Sequence, residues 1–197
     1  IIGAELSHLS ASGENLARAG IAIRSAFLQG QWPEETAAAI QDAYAELGKR
    51  CGQADVAVAV RSSATAEDLP DASFAGAQET FLNIRGKAAL LDACRRCFAS
   101  LFTDRAIAYR MSKGFGHLDV ALSIGVERMV RSDLGSAGVM FTIDTETGFD
   151  KIVIITTAWG LGEFVVQGSV DPDEYQVYKP FLTSPPLTPI IERSLGE

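Results

Sequence analysis

The sequence has no long hydrophobic run, no excess of basic residues and very little cysteine or histidine. No stretch approaches the roughly 18 apolar residues of a membrane-spanning helix, so no membrane partner is expected. The formal net charge is −8, from 17 Lys and Arg against 25 Asp and Glu. A nucleic-acid partner is not expected either, because binding to a phosphate backbone needs clustered basic residues. A small anionic ligand stays compatible, since it needs only a local positive pocket.

The chain has three cysteines and two histidines, which limits metal chemistry. Cys94 and Cys97 have C-x-x-C spacing, but no second pair completes the roughly four ligands of a zinc site. Their neighbours are apolar at helical spacing, so we interpret them as helix positions one turn apart, with redox or metal chemistry as the alternative. An odd cysteine count fits a reducing compartment, hence the cytoplasm. His8 and His117 match no metal or triad spacing and are interpreted as surface or capping residues.

The length of 197 residues allows one or two domains with a real core. The hydrophobic share of 47% and charged share of 21% are those of an ordinary globular protein. The first residues, IIGAELSHLS, lack an initiator Met and a basic segment. We therefore expect no signal peptide, and a fragment of a longer chain or a cleaved product.

Segments with helical apolar spacing alternate along the chain with short β-branched runs. Helices come first, then a strand pair, two helices and several strands joined by short turns. This order predicts an α+β fold with a mainly antiparallel sheet flanked by helices. The predicted helices are 12–28, 33–50, 87–102 and 104–113, and the predicted strands are 56–60, 78–84, 121–131, 137–143, 151–158 and 174–178.

The stretch from Val56 to Ile84 is the most informative part of the chain. An apolar run ends in Arg61, and a loop of Ser, Thr, Asp, Ala and Gly separates it from the next strand. Arginine offers a planar fork to phosphate oxygens, and small residues let backbone amides approach them. No GxxxxGK[ST] or GxGxxG motif occurs, so this is neither a Walker nor a Rossmann site. The alternative is a surface loop beside a strand-terminal arginine in a salt bridge.

Two further segments are candidates for ligand binding. Glu163 follows two glycines, Gly160 and Gly162, and precedes an acidic cluster and Gln176. Carboxylate and amide oxygens of this kind suit Mg²⁺, which also takes phosphate oxygens and water as ligands. The alternative is an exposed acidic loop. The segment from Glu127 to Met129 could pass beside a flat adenine ring and pack Met129 on its face. The alternative there is an ordinary strand.

Three long segments extend these candidates: RSSATAEDLPDASFAGAQETFLNI, RMVRSDLGSAGVMFTIDTETGF and AWGLGEFVVQGSVDPDEYQVYKP. Their order and approximate spacing resemble the nucleotide-binding domain of the phosphoenolpyruvate synthase (pyruvate, water dikinase) family. The resemblance covers most of residues 54–180. Pyruvate phosphate dikinase and rifampicin phosphotransferase share these segments, but LPDASF and DPDEYQVYKP are more similar to the synthase.

The resemblance implies an ATP-grasp fold, incomplete here at its N-terminus, in which ATP is held between two subdomains. It implies that Arg61 binds the transferring phosphates and acts in catalysis. It also implies that Gly76 and Thr80 belong to a loop covering the phosphates.

The resemblance further implies that Glu127, Arg128 and Met129 line the adenine. A glutamine commonly occupies the position of Glu127 in this family. Because a carboxylate has no amide donor, only a backbone contact carries over there. Glu163 and Gln176 are implied to hold Mg²⁺ and the phosphate chain.

The implied overall reaction converts ATP, pyruvate and water to phosphoenolpyruvate, AMP and phosphate through a phosphohistidine. The phosphohistidine domain, the pyruvate-binding barrel and the lysine-bearing N-terminal piece of the ATP-grasp domain have no counterpart in this sequence. We therefore expect a fragment that does not turn over pyruvate alone. A homodimer of the full-length protein is left open.

The alternatives to the synthase are a related dikinase-type phosphotransferase, such as pyruvate phosphate dikinase or rifampicin phosphotransferase, and a non-catalytic nucleotide-binding module.

The resemblance divides the chain into four segments. The segments are a helical connecting part (1–53), a phosphate-loop part (54–118), a second subdomain with hinge and metal-binding strands (119–182) and a linker-like tail (183–197).

Overall fold

The computed structural model describes residues 2–10, 13–64, 68–69, 72–73 and 79–196. The chain divides into two compact units, residues 1–129 and 130–197. Each is described by itself. The four segments predicted from the sequence are a different division, and they stay a prediction.

The first unit contains five helices among its described residues. Glycines at positive φ follow two of them, Gly52 (66°) after α3 and Gly114 (71°) after α5, as the sequence predicted. Thr103 caps α5 by accepting a hydrogen bond from the Ala106 amide at 3.3 Å. The helices are α1 (Ile2–Ser7), α2 (Leu16–Gln29), α3 (Glu34–Cys51), α4 (Lys87–Ser100) and α5 (Asp104–Lys113).

A three-stranded antiparallel sheet crosses the first unit in the order β4-β1-β5. Its central strand pairs with β5 from Val58 to Ala64, so Arg61 lies inside β1. The expectation that the strand ends at Arg61 is therefore wrong. The seven-residue ladder with β5 carries the strand onward through polar residues. The strands are β1 (Val58–Ala64), β4 (Thr80–Ile84) and β5 (Leu122–Arg128), and a separate pair is formed by β2 (Asp68–Leu69) and β3 (Ala72–Ser73).

The main core of the first unit lies between this sheet and its helices. Val58 and Val60, both 0% exposed, pack in one cluster with Leu90 and Cys97 of α4. A second cluster forms around Ile23, Phe102 and Ile107. Membership of Val58 and Val60 in this cluster identifies the face of the sheet that α4 covers.

The second unit is a four-stranded antiparallel sheet in the order β6-β7-β8-β9, with one short helix, α6. Its last strand lies in the tail that the sequence indicated to be linker-like. Three prolines precede it, and the ladder begins directly after the last of them. The elements are β6 (Ser136–Phe141), β7 (Ile152–Trp159), α6 (Gly162–Val166), β8 (Asp173–Tyr178) and β9 (Ile190–Ser194).

The predicted fold class is confirmed: the chain is α+β, with antiparallel sheets flanked by helices. In the part of the chain that the structure describes, no helix is both long and apolar enough to cross a membrane.

Candidate functional site

Arg61 and Thr80 lie side by side on one face of the first sheet. Arg61 on β1 is in register with Thr80 on β4 and with Gly125 on β5. Val58 and Val60 alternate with Arg61 and pack toward α4, so Arg61 projects from the opposite face. Its side chain is 56% exposed. The sheet thus presents an accessible guanidinium beside a hydroxyl, and both can donate to an anion.

Glu127 shares this open face. Its register partner is Ala59, two residues from Arg61 on β1. The Glu127 Oε2 atom lies 4.0 Å from Arg61 Nε, and the Glu127 side chain is 66% exposed. The arginine therefore has a salt-bridge partner, as the alternative to phosphate binding supposed, and it also remains open to solvent.

The segment predicted to line an adenine does not present its side chains to one side. Arg128 is in register with Val58, so it lies on the helix-covered face, opposite Glu127. Its Nη1 atom is 4.0 Å from Cys51 Sγ at the end of α3. The Met129 amide donates to the Ala57 carbonyl at 2.9 Å and is therefore engaged inside the unit. The structure brings Glu127, and not Arg128, to Arg61.

Gly76, the remaining residue predicted for phosphate binding, lies outside the described residues. Thr80 is the first residue of β4 and the register partner of Arg61.

In the second unit, Gln176 lies on a sheet face that carries both polar and apolar residues. It is in register with Ile154 on β7 and Glu192 on β9, and Glu174 follows on the same face. Sequence analysis missed Glu192 because it predicted no strand there. The β-branched pair Ile190 and Ile191, directly after the last proline, is the local signal that could have found this strand. Asp173 lies on the other face, where its Oδ1 accepts from the Gly196 amide at 3.0 Å.

Glu163 lies in the first turn of α6, near the same sheet face. A Cβ placed on Gly162 would be 3.5 Å from the Ala137 Cβ. Ala137 pairs with Ala158, which alternates along β7 onto the face of Gln176. The Glu163 carboxylate accepts a hydrogen bond from Gln167 Nε2 at 2.8 Å. The helix is thus anchored on the side of the sheet that carries Gln176.

The oxygen donors in this unit are chemically suited to a hard cation. A carboxylate and an amide oxygen match Mg²⁺, which completes its shell with water and substrate phosphates. Within the described ranges, no three or more His, Cys, Asp or Glu residues are grouped to hold a metal.

The predicted site residues divide between the two units. Glu163 and Gln176 belong to the second unit, and the other described ones belong to the first. The structure groups Arg61, Thr80 and Glu127 within their unit. It also places Gln176 and the start of α6 on one sheet face of theirs.

The C-x-x-C pair is part of the α4 core. Cys94 is 3% and Cys97 is 0% exposed. Burial raises the pKa of Cys94, and burial, the neighbouring Cys94 and Glu79 raise the pKa of Cys97 to about 12. The interpretation of two helix positions one turn apart is confirmed, because both cysteines lie in α4.

Comparison with known proteins assigns this α+β fold to a family. The whole chain, residues 1–197, matches the family described as the pyruvate phosphate dikinase AMP/ATP-binding domain. The chain therefore belongs to this family of ATP-binding domains, which confirms the class indicated by the three sequence segments.

Several proteins named phosphoenolpyruvate synthase are similar to most of this chain. The enzyme of Synechocystis sp. is 55% identical over 92% of this chain, and that of Escherichia coli is 56% identical over 92%. A probable phosphoenolpyruvate synthase of Methanocaldococcus jannaschii is 50% identical over 83%. The matched regions cover 23%, 22% and 14% of these proteins, so the chain spans about a fifth or less of their length.

Proposed function

We propose that the chain is the ATP-binding part of a phosphoenolpyruvate synthase and that its two units are subdomains of an ATP-grasp fold. Identity above 50% to named synthases over more than nine tenths of the chain carries this proposal. The whole protein would convert ATP, pyruvate and water to phosphoenolpyruvate, AMP and phosphate. The phosphohistidine and pyruvate sites of that reaction would belong to other domains.

In this proposal Arg61 is the catalytic residue that binds the transferring phosphates. Phosphoryl transfer is accelerated chiefly by positioning and by neutralisation of charge, which an exposed guanidinium on a rigid strand provides. Thr80, its neighbour on β4, donates its hydroxyl to the same phosphate chain. Gly76 in the connecting loop lets backbone amides approach the oxygens.

The adenine would lie along the end of β5, from Glu127 to Met129. Since the Met129 amide already donates to Ala57, the adenine would use other groups of this segment. The Met129 side chain offers a polarisable apolar surface that suits a flat ring.

Glu163 and Gln176 would hold Mg²⁺ together with phosphate oxygens. The bound cation would supply charge neutralisation and orientation of the phosphate chain. Gln167 restrains the orientation of the Glu163 carboxylate by donating to it a 2.8 Å hydrogen bond.

The proposal is tested by titrating the 197-residue chain with ATP and adenosine in the presence of Mg²⁺. Arg61→Ala should weaken ATP binding about 10- to 150-fold, because a hydrogen bond to a charged group contributes about 1.5–3 kcal/mol. Arg61→Lys should restore part of the loss, since lysine keeps the charge without the planar fork. Adenosine, which has no phosphates, should bind all three proteins alike.

Arg50→Ala is the matched control, because Arg50 is an exposed arginine on α3 that pairs with Glu46 one turn earlier on the same helix. Equal ATP affinity of wild type and Arg61→Ala would show that Arg61 has no phosphate role. For the whole reaction, the protein that carries this chain should form AMP from ATP only when pyruvate is present. AMP formation at the same rate with and without pyruvate would favour a phosphotransferase with another acceptor.

A further inference from the structure

Arg61 and Glu127 form a diagonal pair on the open face of the first sheet. Arg61 is directly opposite Gly125, and Glu127 lies two residues further along β5. Diagonal neighbours on antiparallel strands are within reach of long side chains. Here the two charged ends approach to 4.0 Å between Arg61 Nε and Glu127 Oε2.

Gly125 makes room for this approach. A Cβ placed on Gly125 would be 3.8 Å from Glu127 Oε1, so the carboxylate lies above the glycine. A longer side chain at this position would occupy the space into which Glu127 folds back toward Arg61. Gly125, which is opposite Arg61 and two residues before Glu127, thus has no side chain that separates the two charged groups.

The pair sits where the phosphate role of Arg61 requires an anion. A carboxylate and a phosphate are alternative acceptors for the same planar donor fork. Two anions at one guanidinium repel each other, so a phosphorylated ligand must displace the carboxylate or share the cation with it. Both side chains are more than half exposed, so the pair is weak enough to be displaced.

We propose that Glu127 is an electrostatic competitor that holds Arg61 in the absence of nucleotide and lowers the affinity of the chain for phosphorylated ligands. Glu127 thereby determines how strongly the site discriminates ligands by their charge. This inference rests on the proposed function, in which Arg61 binds phosphates.

The test compares wild type with Glu127→Gln, which removes the charge and keeps the shape. Glu127→Gln should tighten the binding of ATP and of pyrophosphate about two- to fivefold, the equivalent of about 0.4–1 kcal/mol. Pyrophosphate carries no adenine, so a gain in its affinity isolates the effect of charge from any contact of the new amide with the base. The gain should shrink toward none as ionic strength rises from about 0.01 M to about 1 M, because screening removes the interaction of exposed charges. Glu46→Gln, an exposed carboxylate on α3, makes the same change in net charge and should have no effect.

A double-mutant cycle with Arg61→Ala assigns the effect to the pair. In the Arg61→Ala background, the two- to fivefold gain in ATP affinity caused by Glu127→Gln should disappear. A gain that persists without Arg61 overturns the inference, and so does weaker ATP binding by Glu127→Gln. In the ligand-free chain, the NMR signal of Arg61 Nε–H should shift on Glu127→Gln, and an unmoved signal also overturns it.

These outcomes separate the two proposals. If Arg61→Ala weakens ATP binding but Glu127→Gln leaves it unchanged, Glu127 is not a competitor, and the proposed function is unaffected. If Arg61→Ala leaves ATP affinity unchanged, both the phosphate role of Arg61 and the competitor role of Glu127 are wrong. The shift of the Arg61 signal requires no nucleotide, so it reports on the pair independently.

Discussion

Arg110 donates a hydrogen bond from Nε to Nδ1 of His117 over 3.2 Å. Arg110 is 0% exposed, and its Nη2 donates to the Leu101 carbonyl at 2.6 Å. Its guanidinium also lies 5.4 Å from the centre of the Phe102 ring. Burial lowers the pKa of Arg110 to about 10, so the residue stays charged at neutral pH. The Nδ1 atom that accepts from it must therefore be unprotonated, which defines a neutral imidazole.

Acid should destabilise the folded chain through His117. Burial and the charge of Arg110 lower the pKa of His117 from its ordinary value of 6.5. The unfolded chain therefore binds this proton at a higher pH than the folded chain does. The stabilisation is fully present above about pH 6.5 and is lost as the pH falls through the lowered pKa of the folded state. Urea unfolding at a series of pH values should show this loss.

The variant His117→Gln should remove this part of the pH dependence, because its amide oxygen accepts from Arg110 without titrating. His8→Gln is the matched control, since His8 is exposed and its backbone carbonyl accepts a hydrogen bond from Asn15 Nδ2. The prediction is contradicted if His117→Gln and wild type lose the same stability between pH 7.5 and 5.5.

Local sequence patterns predicted most elements of the fold, but not β9 and not the end of β1. Apolar periodicity predicted α3, α4 and α5, and the β-branched run predicted β7, because these signals act within a few residues. The end of β1 depends on pairing with β5, about 60 positions away, which no local pattern contains. The same applies to β9, whose partner is β8.

The candidate site was predicted in part for the same reason. Arg61 was named from the loop pattern and Thr80 from the family resemblance, and the register of β1 with β4 places the two residues side by side. The pairing of Arg61 with Glu127 depends on strand register and was not anticipated. His117 was interpreted as an ordinary surface or capping residue, because its buried partner Arg110 lies on an earlier helix whose packing the sequence does not state.

Only one cysteine should react readily in the native chain. Cys51 is partly exposed, whereas Cys94 and Cys97 are buried and their pKa values are raised. A thiol reagent attacks the thiolate, so the two buried thiols should be inert until the chain unfolds. Titration with Ellman's reagent should give one fast thiol in buffer and three in denaturant.

The variant Cys51→Ser should abolish the fast reaction and leave two thiols in denaturant. Fast reaction of Cys94 or Cys97 in the native state would contradict their burial in the core. It would also revive the redox interpretation of the C-x-x-C spacing.

Glu163→Gln should raise the Mg²⁺ concentration needed for tight ATP binding. The substitution keeps the shape and hydrogen bonding but removes the negative charge that a hard cation prefers. We expect an increase of about tenfold in the half-saturating Mg²⁺ concentration, as one charge-assisted contact of about 1.4 kcal/mol would give. Calorimetric titration of ATP at several Mg²⁺ concentrations measures it.

Asp150→Asn is the matched control, because Asp150 is an exposed carboxylate of the same unit that pairs with Lys151. It makes the same change in net charge and should leave the Mg²⁺ dependence unchanged. Gln167→Ala, which removes the donor to Glu163 Oε1, should have a smaller effect in the same direction. Equal Mg²⁺ dependence of wild type and Glu163→Gln would remove Glu163 from the cation site.

Tyr44→Phe should destabilise the first unit more than the loss of one hydroxyl ordinarily does. The Tyr44 hydroxyl donates to the Val56 carbonyl at 2.7 Å and accepts from the Gly86 amide at 3.0 Å. It thereby joins α3, the approach to β1 and the start of α4, and Tyr44 is only 2% exposed. Removal leaves two backbone groups without this partner, at a cost of about 1–3 kcal/mol in the free energy of unfolding.

Tyr175→Phe provides the comparison, because its hydroxyl makes a single 3.3 Å hydrogen bond to Asp173 Oδ2 at a partly buried position. We expect a loss below about 1 kcal/mol there. Urea unfolding followed by circular dichroism measures both variants against wild type. Equal losses would mean that water replaces the Tyr44 hydroxyl, and that the junction of α3, β1 and α4 is held by apolar packing alone.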